Sequence, residues 1–197
     1  MAAMQLPMWI LLCRFSGCQK HRAACGSSHK GQSRDCGQAI GWIPDRAKAV
    51  KNFDAKRYLG RWYEVARLDF YWERGLDNVT ATYSLKPNGD IKVVNRGWDG
   101  KHDKWKQSIG KAKSVADPSE ARLKVSFFGP FYAGYNVIAI DKDYQYALVV
   151  GESTDYMWIL SRTGQIPDDV KRDYLSQARG IGCDVDKLVW VKQDKQQ

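Results

Sequence analysis

Cysteine and histidine are scarce in the last three quarters of this chain. Four of the five cysteines lie in the first quarter, and Cys183 is the only one after it. No two cysteines are spaced C-x2-C, and His21, His29 and His102 fall outside every strand predicted below. The main part of the chain therefore has no internal disulfide, and cysteine and histidine give it no metal or catalytic signature.

The positive charge is concentrated near the N-terminus. The net charge is +9, and residues 1–50 carry seven Lys and Arg against two Asp. The other 147 residues carry 24 basic against 20 acidic side chains. Such a mildly basic region does not indicate a nucleic-acid footprint, which needs cations concentrated on one face. A weak attraction to anionic lipid headgroups stays open.

The first fifty residues form a different kind of sequence, which we interpret as an atypical, mostly disordered leader. The apolar run at 8–13 ends at Arg14 and is far too short to span a bilayer. A secretory signal would require a basic residue before that run, and none precedes it. Ser and Gly stand just before Cys18, which makes Cys18 a candidate lipidation site in a degenerate lipoprotein signal. The predicted barrel domain covers 51–197.

Short runs typical of strands follow one another after Phe53. A single helix begins near Pro167 and ends at Gly180–Gly182, and a last strand covers 187–193. This order predicts an all-β fold: an eight-stranded antiparallel up-and-down barrel, with one C-terminal α-helix packed outside and a short final strand. The eight predicted strands are 61–68, 78–85, 91–98, 104–115, 122–128, 135–140, 146–152 and 156–162.

Three stretches in this order resemble the lipocalin family, and most closely its bacterial outer-membrane branch. They are NFDAKRYLGRWYEVAR at 52–67, YNVIAIDKDYQYALVVG at 135–151 and YMWILSRTGQIPDDV at 156–170. The resemblance implies that Trp62 closes the barrel floor and that Arg162 lies across its ring as a cation–π contact. Gly60, Trp62 and Arg162 are then structural residues. It also implies localisation in the cell envelope, as an outer-membrane lipoprotein.

The period of two along a strand predicts which side chains face the barrel interior. Many of these are small or medium-sized, which favours a ligand cavity over a solid core once the resemblance is considered. The alternation does not decide which face of the fourth strand is interior. The predicted interior, ligand-binding residues are Glu64, Ala66, Val79, Ala81, Tyr83, Val93, Leu123, Val125, Phe127, Tyr135, Val137 and Ala139.

The apolar lining predicts a long-chain ligand that binds by transfer of methylenes out of water. The resemblance implies lysophospholipids and fatty acids, stored or transported for membrane maintenance, and a homodimer as an open option. Arg74, Arg96 and Lys101 are candidates for a basic mouth by loop position alone. We expect no catalytic residue, metal, cofactor or nucleic-acid partner. The alternatives are a lipocalin-type enzyme and a small nucleic-acid-binding barrel.

Overall fold

A computed structural model describes residues 42–115 and 117–195. Every strand pairing within these residues is antiparallel. The elements are α1 (Ala55–Tyr58), β1 (Gly60–Leu68), β2 (Leu76–Leu85), β3 (Ile91–Asp99), β4 (Lys104–Ser114), β5 (Arg122–Phe128), β6 (Phe131–Ile140), β7 (Tyr146–Val150), β8 (Met157–Ser161), α2 (Asp168–Ile181), a 3-10 turn (Val185–Lys187) and β9 (Leu188–Trp190).

The first eight strands close into a barrel. Each strand from β2 to β7 pairs with the next, β8 pairs with β1, and β1 returns to β2 through four residue pairs from Gly60↔Tyr83 to Tyr63↔Thr80. The short β9 continues the sheet beside the upper part of β1. This arrangement confirms the predicted fold class, while α1 and the 3-10 turn are elements that the sequence patterns did not predict.

Helix α2 packs on the outside of the barrel. Tyr174 and Ala178 are its buried side chains, and they share an apolar cluster with outward residues of β1, β7 and β8 such as Val65, Leu148 and Ile159. The Tyr174 hydroxyl donates to the carbonyl oxygen of Tyr146 at 2.9 Å. Within the described ranges, no helix combines the length and apolar character needed to cross a membrane.

Residues 42–50, which we call the lead-in segment, lie against the barrel. The Val50 amide donates to the Val137 carbonyl oxygen at 2.9 Å, and Ala47 and Ala49 are buried. The Asn136 side-chain amide donates to the Trp42 carbonyl oxygen at 2.6 Å. The boundary at residue 50 is therefore corrected for this segment, because backbone and side-chain hydrogen bonds hold it to β6. Cys18 and the rest of the predicted leader lie outside the described residues.

Two β-bulges change which side chains face inward. In β1 the pairing with β8 shifts between Glu64 and Ala66, and in β6 the pairing with β7 shifts between Val137 and Ala139. A one-residue shift moves all following side chains to the other face of a strand. Ala66 and Ala139 consequently pack in the outer cluster under α2, which corrects their predicted interior positions.

The lower end of the barrel, where β1 begins, is closed by stacked side chains. Trp62 is fully buried, and its indole nitrogen donates to the Tyr58 carbonyl oxygen at 2.8 Å. The Arg162 guanidinium carbon lies 3.8 Å from the centroid of the Trp62 ring. Gly60 has a φ of +97°, and a Cβ there would lie 3.2 Å from an Arg162 nitrogen. Glycine thus serves both the left-handed backbone and the close approach of Arg162.

Arg162 also joins the end of α1 and the start of β1 to the β6–β7 turn through its hydrogen bonds. Its guanidinium donates to the carbonyl oxygens of Tyr144, Arg61, Arg57 and Leu59 at 2.8–3.2 Å. Lysine could keep the charge but not this planar set of donors. We expect Arg162→Lys to lower the free energy of unfolding by about 2 kcal/mol, the size of one or two hydrogen bonds to a charged group. Urea denaturation measures this change.

Arg61→Lys is the matched control, because the Arg61 side chain is exposed and only its carbonyl oxygen contacts Arg162. We expect that control to stay within about 0.5 kcal/mol of the wild type. Equal stability of the two variants would contradict a structural role for the Arg162 side chain.

Candidate ligand-binding cavity

The lower half of the barrel interior is filled by aromatic side chains. Tyr58, Tyr83 and Tyr135 meet there, with the Tyr135 hydroxyl oxygen 2.6 Å from that of Tyr58 and 2.8 Å from that of Tyr83. Burial raises the pKa of all three hydroxyls, which keeps them protonated as a hydrogen-bonded group. Among the predicted interior residues, Tyr83, Val93, Leu123, Tyr135 and Val137 belong to this buried cluster.

The upper half of the interior keeps accessible surface along β4, β5 and β6. Phe127 is 40% exposed although its ring lies over Gly110, where an added Cβ would meet it at 2.8 Å. Val125 packs on the buried cluster but is only half-buried, and Ala133, paired with Val125, is exposed. Ala81 on β2, beside the floor residue Trp62, is also half-buried. Inward-facing apolar side chains that remain accessible indicate a hollow that opens toward the upper end.

The structure settles the inner face of β4. Ala112 belongs to the interior cluster and pairs with the interior residue Ile91, so the alternate residues Gly110, Ser108 and Lys106 also face inward. Pairing with a strand of known orientation gives this answer, which the ambiguous local pattern could not. The wall of the hollow is therefore partly formed by small side chains at its middle.

An inward lysine stands at the upper end of that wall. Lys106 Nζ lies 2.6 Å from an oxygen of Asp99, and the same carboxylate oxygen lies 2.7 Å from Nδ1 of His102. The hydrogen bond from Lys106, supported by His102, holds the pKa of Asp99 well below its usual value. The rim at β3–β4 is thus ionised and polar across the ordinary pH range.

A polar cluster lies on the opposite wall, formed by the buried Glu64 and Arg67 with the half-buried Glu73 and Trp158. Arg67 Nη1 donates to Glu64 Oε1 at 2.7 Å, and Nη2 donates to the Glu73 carbonyl oxygen at 2.7 Å. The Trp158 indole nitrogen donates to a carboxylate oxygen of Glu73 at 3.0 Å. The segment between β1 and β2 is thereby drawn inward over this side of the barrel.

The guanidinium of Arg67 bonds the carboxylate of Glu64 but only the backbone carbonyl oxygen of Glu73. Burial, and then the charge of Glu73, raise the pKa of Glu64 from 4.5 to about 8, against the opposing effect of Arg67. Burial also raises the pKa of Glu73. Both shifts disfavour ionisation of the carboxyl groups, so we expect the cluster to retain a proton at neutral pH.

Sequence reasoning placed Glu64 in the interior but missed Arg67, Glu73 and Trp158. Strict alternation from Trp62 puts Arg67 outside, and only the bulge after Glu64 turns it inward. A cation within an otherwise apolar strand, three residues after an inward carboxylate, is the signal that could have found this pair. Val79, another predicted interior residue, packs in a small separate cluster with Leu76 and Val191.

The three predicted mouth cations have different positions. Arg74 forms an exposed ion pair with Asp69 at 2.6 Å, and Lys101 lies exposed in the β3–β4 turn. Arg96 faces outward, because it stacks on the outer residue Trp105 at 4.3 Å. The mouth assignment of Arg96 is therefore corrected, since the alternation of β3 carries it to the outer wall.

The described residues do not assemble a nucleophile with a base. Cys183 is buried in the outer cluster, and burial raises the pKa of its thiol to about 11. No group of three or more His, Cys, Asp or Glu within residues 42–115 and 117–195 could hold a metal ion. The barrel interior is apolar and partly accessible, with polar groups at its rim and on one wall.

A family model described as a lipocalin-like domain matches residues 53–193. The chain belongs to the lipocalin family. Outer membrane lipoprotein Blc of Citrobacter freundii is 57% identical over 150 residues, which cover 76% of this lipocalin and 85% of that protein. Outer membrane lipoprotein Blc of Vibrio cholerae is 43% identical over 152 residues, covering 77% of this chain and 89% of the relative.

More distant proteins share the domain. Apolipoprotein D of Rattus norvegicus is 39% identical over 129 residues, covering 60% of this lipocalin and 66% of the relative. Insecticyanin from the tobacco hornworm Manduca sexta aligns with a TM-score of 0.61 and 20% identity, covering 77% and 86% of the two chains, and shares the fold. Membership of the family implies that this lipocalin binds small hydrophobic ligands, and the names of the bacterial relatives support the predicted outer-membrane localisation.

The buried carboxyl pair predicts a pH-dependent stability. A pKa raised in the folded state stabilises the protein fully below the unfolded value of 4.5, and this contribution is lost as the pH rises through about 8. We expect the free energy of unfolding of the wild type to fall, relative to Glu64→Gln, between about pH 5 and about pH 9. Urea denaturation at a series of pH values gives this difference.

Asp143→Asn, a change at an exposed carboxylate, serves as the control and should follow the wild-type curve. A constant difference between wild type and Glu64→Gln over the whole range would show that Glu64 does not hold the proton.

Proposed function

We propose that this lipocalin binds and carries lysophospholipids or fatty acids for maintenance of the cell envelope, without catalysing a reaction. The acyl chain occupies the hollow along β4, β5 and β6, and the head group stays at the mouth. The family implies small hydrophobic ligands in general. Lysophospholipids and fatty acids are one class of such ligands, and the acyl chain and the head group take different positions in the barrel.

The accessible inner wall is the observation that carries this proposal. Gly110, Val125, Phe127 and Ala133 face inward and keep accessible surface, and they line one side of the barrel with apolar or small groups. Each methylene that leaves water against such a wall contributes roughly 0.8 kcal/mol. A long chain therefore gains affinity by length rather than by directional contacts.

The interior limits how deep the ligand lies. The aromatic floor at Tyr58, Trp62 and Tyr83 is buried and internally hydrogen-bonded, so an acyl chain entering from the mouth stops above it. The carboxyl pair Glu64 and Glu73 disfavours a second anion on its wall. The head group is better accommodated at the rim, beside the ion pair of Lys106 with Asp99 on the opposite wall.

An enzymatic function fits the site less well. The inward carboxyl of Glu64 is bonded to Arg67, and Cys183 lies in the outer cluster away from the hollow. A general base needs a partner whose proton it can take, and a nucleophile needs access to the substrate. Neither condition is met by these two groups. The homodimer that the sequence resemblance suggests stays a prediction.

Adjacent residues on opposite faces of β2 test the hollow. Ala81 faces inward beside Trp62, whereas Thr82 pairs with Arg61 and Val94 on the outer face. We expect Ala81→Trp to weaken binding of a fluorescent fatty acid about tenfold. The indole takes up space in the barrel, so roughly two methylenes of the acyl chain stay in water. Thr82→Trp adds the same ring outside and should bind as the wild type does. Fluorescence titration, with lysophosphatidylcholine as competitor, measures both.

Far-UV circular dichroism and thermal unfolding first establish that both variants fold. Wild-type affinity in folded Ala81→Trp, or equal weakening in both variants, would contradict an acyl chain inside the barrel. Fluorescent fatty acid that lysophosphatidylcholine does not displace would contradict the lysophospholipid part of the proposal.

A further inference from the structure

The outer faces of β3, β4 and β5 form a wall of one charge. Residues at outward positions of these strands alternate with the interior residues already described. None of those outward positions holds Asp or Glu. The wall, which we call the basic wall, carries the cations Lys92, Arg96, Lys111, Lys113, Arg122 and Lys124.

The basic wall accounts for the positive charge of the domain. Residues 42–195 contain 26 Lys and Arg against 21 Asp and Glu, an excess of five, while the wall alone holds six cations. The remainder of the domain is thus close to neutral. The net charge of the domain is small, yet its cations are concentrated on one surface. They occupy the same face of neighbouring strands and are spread along the sequence, so the net charge alone does not reveal them.

Like charges stand directly opposite one another on this wall. Lys92 is the partner of Lys111 across β3 and β4, and Lys113 is the partner of Lys124 across β4 and β5. Directly opposed like charges destabilise a sheet. Of the four lysines, Lys113 also contacts a carboxylate, that of Asp90 in the neighbouring turn, at 3.3 Å. An external polyanion would relieve this repulsion.

Aromatic and apolar side chains are interleaved with the cations. Arg96 lies 4.3 Å over the Trp105 ring, which contacts Trp98 edge to face, and Lys111 and Lys124 lie 5.6 and 5.2 Å from the Tyr132 centroid. Ile109, at an outward position of β4, is 54% exposed. Cations mixed with indole, phenol and exposed aliphatic groups are typical of surfaces that lie in a membrane interface.

We propose that the basic wall docks this lipocalin laterally on an anionic phospholipid surface. Two observations favour a lipid surface as the partner. Its anionic head groups complement the charge of the wall, and its interface can bury the exposed Ile109. Nucleic acid is less well matched, because Arg96 and Lys195 already stack on Trp105 and Trp98, whose rings would otherwise be open to bases. The first 41 residues carry five basic side chains against one Asp, so their charge does not complement that of the wall.

Paired charge reversals on the full chain test the docking surface. We expect Lys111→Glu combined with Lys124→Glu to lower partition onto mixed phosphatidylcholine–phosphatidylglycerol vesicles by about tenfold or more, as expected for loss of two cations at an anionic surface. Lys56→Glu combined with Arg172→Glu makes the same change of net charge at exposed positions on α1 and α2. That control should stay within about twofold of the wild type. Vesicle sedimentation measures the partition.

Fatty-acid binding measured on the same variants separates docking from cargo. The wall variant should keep wild-type affinity for the fluorescent fatty acid, because its changed residues face away from the hollow. Equal losses in the wall variant and its control, or no preference of the wild type for anionic over pure phosphatidylcholine vesicles, would overturn the proposal. Tighter binding of duplex DNA than of vesicles, lost in the wall variant alone, would overturn it in favour of a nucleic-acid partner.

Discussion

The short ladder between β1 and β2 is the constraint on which the rest of this molecule depends. Four residue pairs, from Gly60↔Tyr83 to Tyr63↔Thr80, turn an open sheet into a closed barrel. Above them the two strands separate, and the Gln193 side chain donates to the carbonyl oxygens of Glu64 and Val79 across the gap. Closure leaves the eight strands without a free edge and gives every side chain either an inner or an outer position.

That constraint explains how much the sequence could predict. Strand order, the outer helix and the positions of Trp62 and Arg162 follow from periodicity and from motifs that span most of the domain. Ala66 and Ala139 do not, because the bulges before them depend on how β1 and β6 meet β8 and β7, which no single strand encodes. The same bulge brings Arg67 inward and creates the buried carboxyl cluster.

The period of two also lets one strand serve two surfaces. In β3 and β4, Val93 and Gly110 face the interior while their neighbours Val94 and Lys111 face outward. The inner face holds an apolar hollow above an aromatic floor, and the outer face holds the cations. The proposed cargo site and the proposed docking surface thus lie on opposite faces of the same strands.

The central claim is that an acyl chain lies inside the barrel against β5. Intermolecular nuclear Overhauser effects between the methylene protons of a bound fatty acid and assigned methyl groups test it most directly. The account predicts contacts to the Val125 methyls on the inner wall and none to Val94, which faces outward on β3. Contacts to Val94, or to Val150 and Ile159 under α2, without contacts to Val125 would contradict it.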